Sequence, residues 1–262
     1  MAKKRLCALI DLSGTLHVDD AAIAGAQEAL RRLRSKISCV KFVTNTTKES
    51  KRLLHSRLTK MGFDIAVDEI YTSLSAARNL LDQRKSNPLL LVDDFAMEEF
   101  HGFPTNEEKD TVVVGLAPEK FSYENLNEAF RLVHAGASLI AVHKARYYKR
   151  NDGLALGPGP FVAALEYATG SKAYVVGKPE KSFFLSCVEG MGFQPHDCVM
   201  IGDDVRDDVL GAQKAGMTGI LVKTGKYLPG DETKFEFSPN FVAADFTDAV
   251  EMICNDFVSP KA

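Results

Sequence analysis

The chain has 262 residues, 45% of them hydrophobic, enough for one large domain or two smaller ones with real cores. Its charges are dense but balanced, with a net charge of −3 and a pI near 6.1. That balance argues against a nucleic-acid surface and against a basic membrane-binding face.

The opening MAKKRLCALID starts like a signal peptide, but its apolar stretch breaks at Asp11, short of a targeting core, and reads as a first strand. RLCALI and ISCVKFV are short runs without a polar face, as expected of strands buried on both sides in a parallel sheet. Between them Ile23, Ala26, Leu30 and Leu33 recur at helical spacing, which makes the unit β-α-β. TTKES then offers a capping box, Thr46 with Glu49, for a helix that turns Leu54, Leu58 and Met61 inward and stops at Gly62.

A differently paced segment follows, with PLLLVDD, TVVVGL, ENLNEAFRLVHAG, SLIAVHK and the helical PFVAALEYATG, enough for a small α/β unit of its own. The last third returns to the first scheme with AYVVG, the helical PEKSFFLSCVEGMG, CVMIG, the helical VRDDVLGAQKAG and TGILVKTG. Pro179 suits a first helical turn there. The expected architecture is α/β: a Rossmann-like parallel-sheet core from 1–79 and 174–262, with an inserted α/β cap domain at 80–173. FHGFPTNEEKD and YLPGDETKFEFSPN read as surface loops. The five cysteines, Cys7, Cys39, Cys187, Cys198 and Cys254, are scattered and lack metal-ligand spacing, as expected of reduced thiols in a cytoplasmic protein.

Open α/β sheets bind ligands outside the carboxyl ends of their strands. Here those ends carry Asp11, Thr44 with Asn45, Lys178, and Asp203 with Asp204, Asp207 and Asp208. Carboxylates, one lysine and hydroxyl or amide donors together suit a divalent metal and a phosphate. The bland reading of the last four acids is a helix N-terminus enriched in negative charge, and some of them are expected to do only that. No Walker P-loop and no GxGxxG after a strand is present, so a nucleotide cradle has little support.

In order and spacing these motifs resemble the haloacid dehalogenase superfamily of phosphotransferases: DLSGT for the nucleophile loop, VTN for the second motif, GK for the lysine and GDDVRDD for the acidic metal loop. The motifs span Asp11 to Asp208, and the insert resembles the large α/β cap of the subfamily that includes phosphoglycolate and pyridoxal-phosphate phosphatases. The resemblance implies that Asp11 attacks phosphorus and forms an aspartyl-phosphate. It implies that Asp11, Asp203 and the backbone carbonyl of Ser13 hold Mg²⁺. Asp11, Leu12, Ser13, Thr44, Asn45 and Lys178 would then bind a small phosphorylated substrate, with Lys178 and Thr44 on the phosphoryl oxygens. Asp208 matches the later acid of the metal loop, as a ligand through water or as an anchor for Lys178, and completes a catalytic set of Asp11, Ser13, Lys178 and Asp208. Related capped phosphatases are often dimers, so a homodimer through the cap is expected.

One position departs from the family pattern. Most of its phosphatases carry a second aspartate two residues after the nucleophile, to protonate the leaving oxygen and later activate water, and this chain has Ser13. Losing a general acid/base typically costs about 10² to 10⁴ in rate. Two outcomes follow: a phosphatase narrowed to good leaving groups (phosphoanhydrides, aryl phosphates, P–N bonds), or a catalytically weak phosphate- and Mg²⁺-binding scaffold. The joint presence of Asp11, Thr44, Lys178 and Asp203 favours the enzyme. In the insert, Arg146, Tyr147, Tyr148, Lys149 and Arg150 offer an anion or a ring a surface, or form a solvated turn, and Pro160 marks a helix start suited to an anionic substrate. His17 and His143 read as packed or surface residues without a catalytic role.

Overall fold

A computed structural model describes residues 3–104, 108–150, 152–235 and 237–257. The chain divides into two compact units: Met1–Thr44, Leu54–Tyr71 and Lys178–Ala262 form one, and Asn45–Leu53 with Thr72–Gly177 form the other. The segment 80–173 lies within the second unit, which also takes in the residues on either side of it and the short stretch Asn45–Leu53.

The first unit is built on a six-stranded sheet, in the order Phe241–Ala243, Thr218–Val222, Cys198–Gly202, Lys4–Ile10, Ile37–Thr44, Ile70–Thr72. The pairings from Phe241–Ala243 across to Ile37–Thr44 are parallel. The direction of construction reverses between Lys4–Ile10 and Cys198–Gly202, the switch point at which such sheets open a crevice at their carboxyl ends. Alternate side chains on one face (Ala8, Ile10, Val40, Phe42, Val199, Ile201) pack with Leu30 and Leu33 of the helix Ala26–Lys36 and with Phe246 and Val250 of the helix Phe246–Met252. Phe42 and Leu33 are fully buried, each contributing about 1.5–3 kcal/mol through apolar area removed from water.

The second unit has a four-stranded parallel sheet, ordered Tyr174–Val175, Ser138–Ala141, Thr111–Val114, Pro88–Leu91. Helices Tyr123–His134 and Pro158–Thr169 supply Ala129, Val133, Val162 and Leu165 to its core. The stretch around Tyr147 and Tyr148 is an antiparallel hairpin, Tyr147–Arg150 with Gly153–Leu156. Asn151, between them, lies outside the described residues, as do the side chains of Lys149 and Arg150.

Several local expectations need correction. Ile23 precedes the first helix, which starts at Ala26 after Gly25 takes a left-handed conformation, φ 78°. The next helix runs Lys51–Lys60, and the Ser50 hydroxyl accepts from the Leu53 amide at 3.3 Å, so the cap falls beyond Thr46 and Glu49. That helix does bury Leu54 and Leu58, and the chain turns at Gly62 with φ 83°. In AYVVG only Tyr174–Val175 is a strand, and it joins the sheet of the second unit instead of the core. Pro179 stands before its helix, which runs Lys181–Cys187, and follows Lys178 through a cis peptide bond. Pro158, not Pro160, occupies the first position of its helix. Among the described residues no helix is long and apolar enough to cross a membrane.

Candidate active site

Three strand ends in the first unit deliver the acids and the hydroxyl. Lys4–Ile10 leads directly into Asp11, whose amide donates to the Ile201 carbonyl at 2.9 Å and so continues the pairing one residue past the strand. Cys198–Gly202 leads into Asp203, and Ile37–Thr44 ends on the buried Thr44. Because these strands are parallel neighbours, their carboxyl ends share one edge of the sheet.

Lys178 ties this edge together. Its Nζ donates to Asp11 Oδ1 at 2.6 Å, to Asp208 Oδ1 at 2.6 Å and to the Val43 carbonyl at 3.4 Å. Burial alone would favour the neutral amine, but the two carboxylates reverse this and hold the Lys178 ammonium above its ordinary value. It is therefore a fixed cation, only 5% exposed. The other oxygen of Asp11 receives the Thr15 hydroxyl at 3.4 Å.

The acidic loop divides its work. Asp204 caps the π-helical turn Val205–Leu210, its side chain accepting from the amides of Arg206 at 3.0 Å and Asp207 at 2.9 Å. This is the dipole-complementing role open to any acid at a helix start. Asp207 sits in the first turn of that helix, where burial and then Asp204 raise its pKa. Asp208 has both oxygens engaged, Oδ1 by Lys178 and Oδ2 by the Asp204 amide at 3.1 Å. Its carboxyl lies well above the usual range, first through burial, with Asp11 and Asp203 adding to it and Lys178 opposing. Gly202 makes room for it, because a Cβ there would run into the Asp208 carboxyl.

Asp203 is the acid with unused capacity. Its Oδ2 accepts from the Lys226 amide at 2.7 Å, while its buried Oδ1 has no hydrogen-bond partner among the described residues. Burial, and then the charge of Asp11, push it up to about 7. Gly14 and Gly225, at φ 94° and 57°, close around it, and a Cβ on either would overlap the carboxylate. The Thr224 hydroxyl joins the two loops by donating to the Gly14 carbonyl at 2.5 Å.

Oxygens of Asp11, Asp203 and Asp208 all lie within 4.8 Å of one another. A cluster of buried acids with one unpaired oxygen fits a hard divalent cation, which takes oxygen ligands and removes the like-charge penalty. Asp203 is the best placed to hold it, through its unpartnered Oδ1, with Asp11 beside it, whose Oδ2 accepts only the long 3.4 Å bond from Thr15, whereas Asp208 is held on its two oxygens at 2.6 and 3.1 Å.

The sequence-derived residues are therefore distributed unevenly. Asp11, Lys178, Asp203 and Asp208 meet, Thr44 ends the neighbouring strand, Leu12 is buried in the core of the first unit, and Ser13 is exposed two residues past Asp11. Asn45 belongs to the second unit, where it lies beside Gly177. His17 is buried with Nδ1 against the Asp19 carbonyl at 2.8 Å, and His143 lies in the second unit near Thr47. Sequence reasoning overlooked Thr15, the Val43 carbonyl and the Thr224–Lys226 loop. Thr15 had a signal in its place within DLSGT, whereas a backbone carbonyl and a loop well past the acidic motif had none.

A parallel α/β sheet with an inserted second α/β unit, and a lysine clamped between buried carboxylates at the sheet's switch point, defines a haloacid dehalogenase-type hydrolase. The chain belongs to this family: the haloacid dehalogenase-like hydrolase model matches residues 8–103 and the HAD-hydrolase-like model residues 175–249. It is 62% identical over 245 residues to haloacid dehalogenase-like hydrolase domain-containing protein 2 of Bos taurus, covering 94% of each chain. It is 40% identical over 251 residues to phospholysine phosphohistidine inorganic pyrophosphate phosphatase of Danio rerio, covering 94% of this chain and 93% of the relative. Among solved structures it resembles the 4-nitrophenylphosphatase of Thermotoga maritima, with a TM-score of 0.87 and 28% identity over 94% of this chain and 97% of that one.

Proposed function

We propose that this hydrolase is a Mg²⁺-dependent phosphatase working through an aspartyl-phosphate on Asp11, on small substrates whose leaving groups need no proton. The observation that carries the proposal is the buried chain Asp11–Lys178–Asp208 beside the unpartnered oxygen of Asp203. Lys178 and Thr15 orient the Asp11 carboxylate from both of its oxygens. The carboxylate attacks phosphorus, the leaving group departs with its electron pair, and water then cleaves the acyl phosphate in a second displacement. Asp208 keeps Lys178 in place, and the fixed ammonium meets the charge that develops on the phosphoryl oxygens. Thr44 adds a hydroxyl at the neighbouring strand end, with Ser13 and the backbone of Leu12 as further substrate contacts. Asp11, Asp203 and the Ser13 carbonyl would hold the Mg²⁺, which when bound orients and neutralises the phosphoryl group.

Ser13 sets the substrate class. A hydroxyl at its ordinary pKa does not exchange the proton that an alkoxide leaving group requires, whereas pyrophosphate, aryl phosphates and protonated phosphoramidates leave without it. The names of two similar proteins, a phospholysine phosphohistidine inorganic pyrophosphate phosphatase and a 4-nitrophenylphosphatase, are in keeping with that class. Steady-state phosphate release with Mg²⁺, on pyrophosphate, 4-nitrophenyl phosphate and an alkyl phosphate, tests the proposal. Turnover of the first two is expected, falling to background in Asp11→Asn. No release by folded, Mg²⁺-bound wild-type protein would instead favour a phosphate-binding scaffold, the reading that Ser13 also permits.

A further inference from the structure

On the sheet face opposite Phe42 and Ile10, three cysteines from three adjacent strands stand in one row. Cys7 is the register partner of Cys198 on one side and of Cys39 on the other. Its thiol donates to Cys39 Sγ at 3.0 Å. In-register residues on neighbouring strands lie about 4.8 Å apart, inside the roughly 4.4–6.8 Å between α-carbons that a disulfide spans. Cys7, Cys39, Cys187 and Cys198 are free thiols.

The three positions differ in access. Cys7 is fully buried and Cys198 is 1% exposed, with its own thiol donating to the Gln194 carbonyl at 3.4 Å. Cys39 is the half-buried member and the one a small oxidant reaches first. Lys41, two residues along the same strand and so on the same face, adds a cation there, its ammonium anchored on the Asp68 carbonyl at 2.7 Å. The hydrogen bond from Cys7 lowers the Cys39 pKa, overcoming the opposing effect of burial, and Lys41 adds to the lowering. Burial pushes the Cys187 thiol up to about 12, and the hydrogen bonds of Cys7 to Cys198 and Cys39, then burial, raise the Cys7 thiol as well, so the half-buried Cys39 is the one that reacts first.

We propose that Cys39 and Cys7 form a peroxide-oxidisable dithiol, a modification site separate from the phosphatase centre. The Cys39 thiolate attacks the terminal oxygen of a hydroperoxide. The O–O bond breaks, Cys39 becomes a sulfenic acid, and the alkoxide or hydroxide takes up a proton and leaves as alcohol or water. The Cys7 sulfur then attacks the sulfenic sulfur, the S–O bond breaks, and the Cys7 proton departs with the hydroxide as a second water. Two electrons leave the two thiols and reduce one peroxide, and a dithiol reductant reverses the step. The product staples the strand leading to Asp11 to the strand ending at Thr44.

The test treats the full chain with hydrogen peroxide, alkylates the remaining thiols and maps peptides without reductant. A Cys7–Cys39 linkage is expected, lost after dithiol reduction and in Cys39→Ser, and retained in Cys198→Ser. In Cys7→Ser, Cys39 is expected to stay a sulfenic acid that dimedone captures. Cys39 recovered as alkylated thiol after peroxide, or Cys7 linked to Cys198 in the wild type, overturns the proposal. Neither of those readouts depends on a variant that has to fold.

Discussion

Asp11 and Ser13 stand two residues apart on one loop, with opposite surroundings. Asp11 is buried and held by Lys178 and Thr15, while Ser13 is exposed. In the proposed reaction the first does the displacement and the second leaves the proton unmanaged. Ser13→Asp is therefore expected to raise kcat/KM on an alkyl phosphomonoester, up to the factor of about 10² to 10⁴ that general acid/base catalysis supplies. The gain shrinks if the new carboxylate, repelled by Asp11 and Asp203, is shifted away from a useful pKa. Turnover of 4-nitrophenyl phosphate should change much less, because that leaving group departs unprotonated. An equal gain on both substrates would show that position 13 does something other than carry a proton.

At the scale of the element, the turn Val205–Leu210 connects capping to chemistry. Asp204 caps it through two amides and supplies the backbone N–H that holds Asp208 Oδ2, so the acid that anchors Lys178 depends on the acid that starts the helix. Asp204→Ala removes the cap and is expected to cost about 0.5–2 kcal/mol, read as a lower urea midpoint at unchanged slope. Asp204→Asn, which keeps the accepting oxygen, should restore most of it. If both variants melt with the wild type, the capping bonds contribute nothing to stability. The loop Thr224–Lys226 plays the corresponding part for Asp203, through the Lys226 amide and the Thr224 bond to Gly14.

Across the whole molecule, the core cluster on the Phe42 face of the first unit's sheet is drawn from segments outside Thr72–Gly177. The points where the chain leaves and re-enters that unit are tied locally: the Tyr71 hydroxyl lies 2.7 Å from Ser186 Oγ, and its ring is 5.3 Å from that of Phe183. Replacing residues 72–177 by a short glycine linker is thus expected to leave a protein that unfolds cooperatively, since a shorter connection changes loop entropy only modestly. Differential scanning calorimetry decides the matter. Insoluble protein, or a trace without a cooperative transition, would mean that the two units share one core.

Much of the site was legible in the sequence because its parts are local. A short, β-branched apolar run ending on a polar residue reads as a buried strand with its tip at that residue, so the placement of Asp11, Thr44 and Asp203 at strand ends follows from residues adjacent to each. What the sequence left open depends on pairings between distant residues. Tyr174–Val175 is too short to carry a periodicity, and its sheet was decided by its neighbour Ser138–Ala141. The four acids of GDDVRDD look alike as letters; only the folded positions of Lys178 and the Lys226 amide separate the open oxygen of Asp203 from the fully engaged Asp208. Cysteines remote in the chain came into one row because strand register is a long-range property, set by the packing of whole faces and carried by no single stretch of sequence.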